Sequence, residues 1–591
     1  MEVFQRLARW FRKQPGFVRS FASAVVIVCL ADLTVSAFAP FGVGEGLTAR
    51  AAMVLQKVIA PFYGGVGLET DRRSGVRGSK ISAGQKAVTV VLIDEHYFKA
   101  THPQDVEARP VWPLPVANLA NLVQSIVDAR PAALFIDIAL PDAPREVTDG
   151  STNSRKQAME VLALRLNQLD PSIPVFFSDV IRPTAEQQDL NKNCGRIFVP
   201  RGDIAKSSIM APPLAKALFE PDGPSNGAAA ASRPELEVVN SVALEDSGVY
   251  HLATAITGQS ASCKNIDQQN KNIIASPALA LFKAYAARCA AEPAVCGDGS
   301  PRDAKARQEV ARAAADVLRH PGPPDEHGLR LYDLPHEFRE PMSLTWGVRL
   351  SPLMRETFKD AAGADRCNAQ IFDSALDPAA FYLASMAKPF RQAWAENQAR
   401  PCPYIDTISA ADLLDRRLFD DTAPAGAETR TANLFLKDRI VLLGASIPQA
   451  QDRFMSPVNG DIPGVYVHAT AIENLITAKD GYRRAEGGPV ATLLATMASI
   501  FVIAAMEIAW RELGLWFGGW AGRWGEFLLA PLAYAGLMVL ACSAAIYILW
   551  FFTTLPVTEI AAPIIALHGI LFGGYIKRAK TQLGHLLGVK D

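Results

Sequence analysis

Val88-Thr89-Val90-Val91-Leu92-Ile93-Asp94-Glu95 runs apolar, broken by one threonine, until it meets two acids. A strand that offers apolar side chains to both faces must be covered on both faces, which is the condition of a strand inside a parallel sheet. Outward from it lies the loop Trp112-Pro113-Leu114-Pro115 and then Val116, Leu119, Leu122, Val123, Ile126 and Val127, which recur at helical spacing on one face. Pro115 suits the first turn of that helix. A second apolar strand, Ala133 to Ile138, carries Asp137 near its end. Met159, Leu162, Leu166 and Leu169 form another helical stripe, and a third strand, Pro174 to Phe177, runs into Ser178-Asp179. Strands alternating with amphipathic helices predict an α/β layer fold around a parallel sheet.

The same architecture resumes far downstream. Ala411 to Leu418 reads as helical, Lys437-Asp438-Arg439 leads into the strand Ile440 to Leu443, and Gly444-Ala445-Ser446 follows. After a loop holding Asp452, Pro457 and the turn Ile462-Pro463-Gly464, a helix is expected from about Tyr466 to Ala478. Ala-, Pro- and Gly-rich stretches at 221–235 and 290–328 read as surface insertions. The sheet is therefore split in sequence and expected to be one domain in space.

Beyond this domain the sequence turns to membrane logic. The chain has 591 residues, 49% of them hydrophobic and 20% charged, and four apolar runs absorb the excess: 20–41, 489–510, 527–553 and 556–576. Each suffices to cross roughly 30 Å of hydrocarbon as a helix. Arg6, Arg9, Arg12, Lys13 and Arg19 precede the first run, and Lys577, Arg578 and Lys580 follow the last. The excess of positive charge places both ends in the cytoplasm. Residues 1–19 form a basic amphipathic segment, 42–488 are expected in the periplasm, and 577–591 form a cytoplasmic tail too short to hold an enzyme. Ala37-Phe38-Ala39 has the pattern of a signal-peptide cleavage site, but Pro40 would follow the cut, so an uncleaved anchor is expected. Asp32 and His568 fall at similar depths in their spans. Either they face each other inside a four-helix bundle, or Asp32 is satisfied by a local carbonyl or water.

Lys and Arg number 59 against 60 Asp and Glu, for a formal charge of −1. That balance leaves no basic field for nucleic acid. Of the 8 Cys, Cys29 and Cys542 fall in spans; Cys194, Cys263, Cys289, Cys296, Cys367 and Cys402 remain outside. An even set in an exported domain is read as disulfide candidates, free buried thiols being the alternative. Cys289 and Cys296 are the first pair to expect, since Pro293 between them breaks the helix and turns the chain back.

The residues resemble a known family, the second class of CHASE domains, extracellular sensory modules found on bacterial cyclases and histidine kinases. The resemblance is carried by the strand ending Ile93-Asp94, the Trp112-Pro113-Leu114-Pro115 loop, Phe135-Ile136-Asp137 and Ile408-Ser409-Ala410-Ala411-Asp412-Leu413-Leu414. It continues through Arg439-Ile440-Val441-Leu442-Leu443-Gly444-Ala445-Ser446 and Gly464-Val465-Tyr466-Val467-His468-Ala469 with Asn474. One leading and three trailing spans also fit. The chain departs from the pattern twice: Val116 stands where the family usually has a basic residue, and no catalytic output domain follows the last span. The resemblance implies sensing, and enzymatic signalling by this chain is not expected.

Ligands of open parallel sheets bind beyond the carboxyl ends of the strands. Asp94, Asp137 and Asp179 lie at such ends, with Ser446 and Asp452 after the downstream strand, so these five are the candidate ligand-binding residues. They could hold a divalent cation or exchange protons, or cap the following helices as a purely structural duty; which metal, if any, stays open. Gly444-Ala445-Ser446 is not the nucleophile elbow of a hydrolase, and no phosphate-binding glycine loop occurs. No catalytic residue and no cofactor are assigned. The expected function is an inner-membrane sensor that acts through a separate membrane or cytoplasmic effector protein, or as a homo-oligomer. A structural subunit of an envelope complex and a periplasmic enzyme using the strand-end carboxylates are the alternatives.

Overall fold

The computed structural model describes residues 77–101, 112, 114–138, 162–179, 236–240, 249–256, 273–292, 330–332, 338, 340–357, 403–414, 432–447, 450 and 452–484, together with 56, 60, 63–64, 68–70 and 75. The chain divides into a compact unit Ala60–Tyr482 and a second one made of Met1–Ile59 and Arg483–Asp591. Among the described residues no helix is long and apolar enough to cross a membrane. The four expected spans, with Asp32 and His568, lie outside the described residues.

The unit Ala60–Tyr482 is built on six parallel strands: β1 (Val88–Ile93), β2 (Ala133–Ile136), β3 (Val175–Asp179), β4 (Leu236–Asn240), β5 (Asp406–Ser409) and β6 (Ile440–Ala445). Their spatial order is β5-β1-β6-β2-β3-β4. The downstream strand β6 thus sits between β1 and β2, pairing Leu442 with both Val90 and Phe135. Sequence distance is erased here, as the split reading required. The helices are α1 (Ala83–Ala87), α2 (Glu95–Thr101), α3 (Val116–Asp128), α4 (Pro277–Ala291), α5 (Pro352–Thr357), α6 (Ala432–Leu436) and α7 (Val465–Ala478).

Alternation along the strands sorts the core into two layers. Val91, Ile93, Leu134, Ile136, Val441 and Leu443 pack with Leu119, Leu122, Val123 and Ile126 of α3 on one face. Val88, Val90, Phe135, Ile440 and Leu442 pack with Leu279 and Phe282 of α4 and with Ala469, Ile472 and Leu475 of α7 on the other. Each fully buried Leu or Ile contributes about 1.5–3 kcal/mol over exposure, so a strand apolar on both faces is held from both sides. Trp112 packs against the first layer.

Helix α7 is buried from Val465 through Ile476 without a solvent face. It meets α1 at backbone contact: a Cβ at Gly84 would overlap the main chain of Glu473, so only glycine allows this approach. Ser276 caps α4 by accepting the Leu279 N–H, and Pro277 occupies its first turn. Cys289 is buried near the end of α4, and the other candidate cysteines, Cys296 among them, lie outside the described residues.

Several elements differ from the sequence reading. The third strand extends to Asp179, which pairs with Asn240. The helix expected from Ala411 is a 3₁₀ turn, Ala410–Leu413, closed by a capping box between Ser409 and Asp412; 415–431 lie outside the described residues. Strands β4 and β5 were not anticipated as strands. Both carry a buried acid that reads as a surface residue: Glu237, beside the Arg330 Nε at 3.7 Å, and Asp406, paired with Arg439 and bonded by Ser351.

Candidate functional site

The carboxyl ends of β1, β6, β2 and β3 bring the sequence-nominated residues to one edge of the sheet, but they do not share one duty. Asp94 follows β1 and accepts the Tyr97 N–H at 3.0 Å and the Ser409 hydroxyl at 2.7 Å. These bonds cap α2 and tie it to the end of β5, the structural duty such an acid often has. Asp179 is buried inside β3. Ser446 is half-buried and donates its N–H to the Ile93 carbonyl at 2.9 Å.

Asp137 and Asp452 converge instead on His468, in the first turns of α7. The Asp137 Oδ2 atom stands 4.0 Å from the His468 Nε2, and each of these side chains is only 8% exposed. Burial lifts the Asp137 carboxyl to about 7, against the lowering effect of the Ser178 hydroxyl bonded to it. Burial lowers His468 to about 4, against the pull of Asp452. The imidazole is therefore neutral at pH 7, and its approach to Asp137 is not an ion pair. Asp452 reaches solvent and is lifted to about 6, by desolvation first and by the Asp137 charge second, with His468 opposing. Among the described residues, Asp137 Oδ2 is a buried carboxylate oxygen without a hydrogen-bond partner, a costly condition in a low-dielectric site.

The imidazole is held on its other side. The Tyr250 hydroxyl lies 2.9 Å from Nδ1 and accepts the Ala278 N–H from the start of α4 at 3.4 Å. Phe135 and Tyr250 meet the ring edge-on, with centroids at 5.6 and 5.8 Å. Asp452 is placed by the first turn of α7: its carbonyl accepts the Gly464 N–H at 3.0 Å, and its carboxylate occupies the space that a Cβ on Gly464 would take. A carboxylate at a helix N-terminus is favoured by the exposed N–H groups there. The arrangement can hold a positive group or share a proton. Among the described residues, no three His, Cys, Asp or Glu side chains are gathered as a metal centre.

Further along the same helix, Glu473 is fully buried. The Tyr63 hydroxyl reaches its two oxygens at 2.9 and 2.7 Å, Asn474 Nδ2 donates at 2.7 Å, Thr477 donates at 3.1 Å, and Ser82 donates a further short bond. Burial raises the Glu473 carboxyl to about 7 against all four of these donors. Tyr63 itself is pushed well above the usual phenol range by burial and then by the Glu473 charge.

Sequence reasoning did not nominate Tyr250, Ser178, Tyr63 or Glu473. The one available signal was the pair of chargeable residues, His468 and Glu473, in a run 465–476 that is otherwise uncharged and mostly apolar.

A family model described as the CHASE2 domain matches residues 68–509. The match begins at the strand Leu68–Thr70 and ends within the apolar run 489–510. No curated protein and no solved structure matches the chain.

Proposed function

The chain belongs to the CHASE2 domain family of extracellular sensory modules, and on that footing we propose that it is a multi-pass receptor of a bacterial inner membrane. In this reading 42–488 form the periplasmic sensing domain, the runs 20–41, 489–510, 527–553 and 556–576 are its spans, and both ends are cytoplasmic. The domain detects a ligand at the strand-end pocket of Asp137, Asp452 and His468. It conveys occupancy to a separate effector or to further copies of itself, and no catalysis by this chain is invoked.

The observation that carries the reading is the position of α7. Its first turns hold His468 in the pocket. Further along, Glu473 is tied to Tyr63, which follows the first apolar run, and the helix is succeeded by the second run from 489. A helix buried from Val465 to Ile476 that joins a pocket to the two chain segments leading to the spans can bias their packing when the pocket changes.

Two measurements test it. A reporter active only in the cytoplasm should work at the C-terminus, and an export-dependent one should work between 80 and 480; the reverse at the C-terminus would refute the four spans. Affinity capture of the full chain from gently solubilised membranes should retain an effector or a second copy. A monomer that captures no protein would refute action through a partner.

A further inference from the structure

We propose that the pocket formed by Asp137, Asp452 and His468 binds the primary ammonium group of a small free amine. The proposal rests on the receptor reading above and names the ligand chemistry of the same pocket.

The sign of the charge comes first. Burial and Ser178 act on Asp137, and burial, Asp137 and His468 act on Asp452, with no Lys or Arg of the described residues among these influences. The N-terminus of a helix beside the ends of parallel strands is the usual seat of an anion. Here Asp452 occupies that seat against Gly464, so an anionic ligand is repelled and a cation is drawn in.

The hydrogen bonding then selects the kind of cation. Tyr250 oxygen accepts from Ala278 N, and Ser276 lies within hydrogen-bonding reach of that oxygen. The ring donates to or accepts from Tyr250 according to its tautomer, and a ligand donor beside Nε2 selects the one with its proton on Nδ1, which bonds the Tyr250 oxygen. Nε2 is then an acceptor facing the unpartnered Oδ2 of Asp137. Two acceptors facing each other are satisfied together by one donor group between them.

A nitrogen about 2.8 Å from each atom closes a triangle on a 4.0 Å base. Two ligands of one zinc ion at about 2.1 Å and a tetrahedral angle stand only about 3.4 Å apart, so a metal would require the two side chains to close in. An ammonium group carries three donors and no acceptor. Asp137 and His468 supply two acceptors, and the Asp452 carboxylate adds negative charge beside them.

The test is calorimetric titration of the purified full-length protein in detergent at pH 8 with ethanolamine. Choline serves as the cation without N–H donors, ethylene glycol as the neutral isostere, and manganese chloride as the inorganic cation. Ethanolamine should bind saturably, with choline and ethylene glycol at least about ten-fold weaker. Asp137→Asn should weaken ethanolamine by about ten-fold or more. Gly464→Ala, which changes no charge but displaces the Asp452 carboxylate, should weaken it as well; circular dichroism confirms that each variant is folded. Asp452→Asn, at an exposed side chain, replaces any variant that does not fold.

Choline binding as tightly as ethanolamine, no ethanolamine binding at about 10 mM, or unchanged binding in folded variants would each overturn the proposal. Asp137-dependent binding of manganese in place of ethanolamine would overturn the amine and leave the receptor reading standing. The receptor reading itself fails only by the reporter and capture measurements, which use no amine.

Discussion

Asp137 and Glu473 are both buried carboxyls lifted to about 7 by desolvation, yet their surroundings are opposite. Glu473 is met by Tyr63, Ser82, Asn474 and Thr477, each donating to it. Asp137 keeps one oxygen unpartnered and faces a neutral imidazole across 4.0 Å. Burial alone therefore does not distinguish a joint from a pocket; the count of donors around the acid does. The Glu473 side chain ties Tyr63 and Ser82 to α7, whereas Asp137 bears a cost that only a bound partner or a proton can offset.

The comparison breaks most sharply at Glu473. Replacing it by Ala leaves two buried donors, Ser82 and Asn474, and two part-buried ones, Tyr63 and Thr477, without this acceptor, at about 1–3 kcal/mol each where water cannot reach. Glu473→Ala should therefore fail to accumulate as folded protein, and denaturant melting should place Glu473→Gln between it and wild type. Wild-type stability in Glu473→Ala would show that the joint is not structural.

Asp137→Asn should act in the opposite direction. The folded carboxyl sits above its unfolded value near 3.8, so the folded state binds more protons between about pH 4 and 7. Stability from this group is fully present below pH 4 and lost as pH rises through 7. Removing the ionisable group should make the variant more stable than wild type by roughly 2–4 kcal/mol at pH 8 and nearly equal at pH 4. His468 opposes in wild type and variant alike, because its lowered value makes stability rise with pH between about 4 and 6.5. Melting curves at the two pH values decide it; a variant less stable than wild type at pH 8 would show that the charge is already compensated.

Smaller effects sharpen the picture. Tyr250→Phe removes the partner of His468 Nδ1 and should cost about 1–2 kcal/mol, with a changed imidazole titration by NMR as the readout that a packing defect alone would not produce. Asp94→Ala loses the cap of α2 and should cost about 1 kcal/mol with no loss of ethanolamine binding. Loss of that binding would return Asp94 to the pocket.

How much of this was legible is clearest at single residues. The strand 88–93 and the helix face from Val116 to Val127 follow from periodicity, because the solvent-or-core choice repeats with backbone geometry. The position of Asp137 beyond a buried strand was equally readable. That Asp94 caps while one oxygen of Asp137 stays unpartnered was not, since the difference is made by Ser409, Ser178 and Tyr250, none of them near in sequence to the acid it modifies or leaves alone. Nor could composition show β4 and β5 as strands, because Glu237 is met by Tyr332 and Arg330 and Asp406 by Arg439 and Ser351, all distant in sequence.

Local sequence determined what each segment becomes: which residues alternate, which recur every third or fourth place, and where Pro115, Pro277 and Gly464 punctuate the chain. Tertiary structure alone decided the strand order that inserts β6 between β1 and β2. It also decided the chemistry of the acids, by bringing Tyr250 to His468 across 218 positions and Tyr63 to Glu473 across 410. Hydrogen bonding and proton affinity depend on what lies within a few ångströms and on how much water is excluded, and neither quantity exists until distant parts of the chain have met.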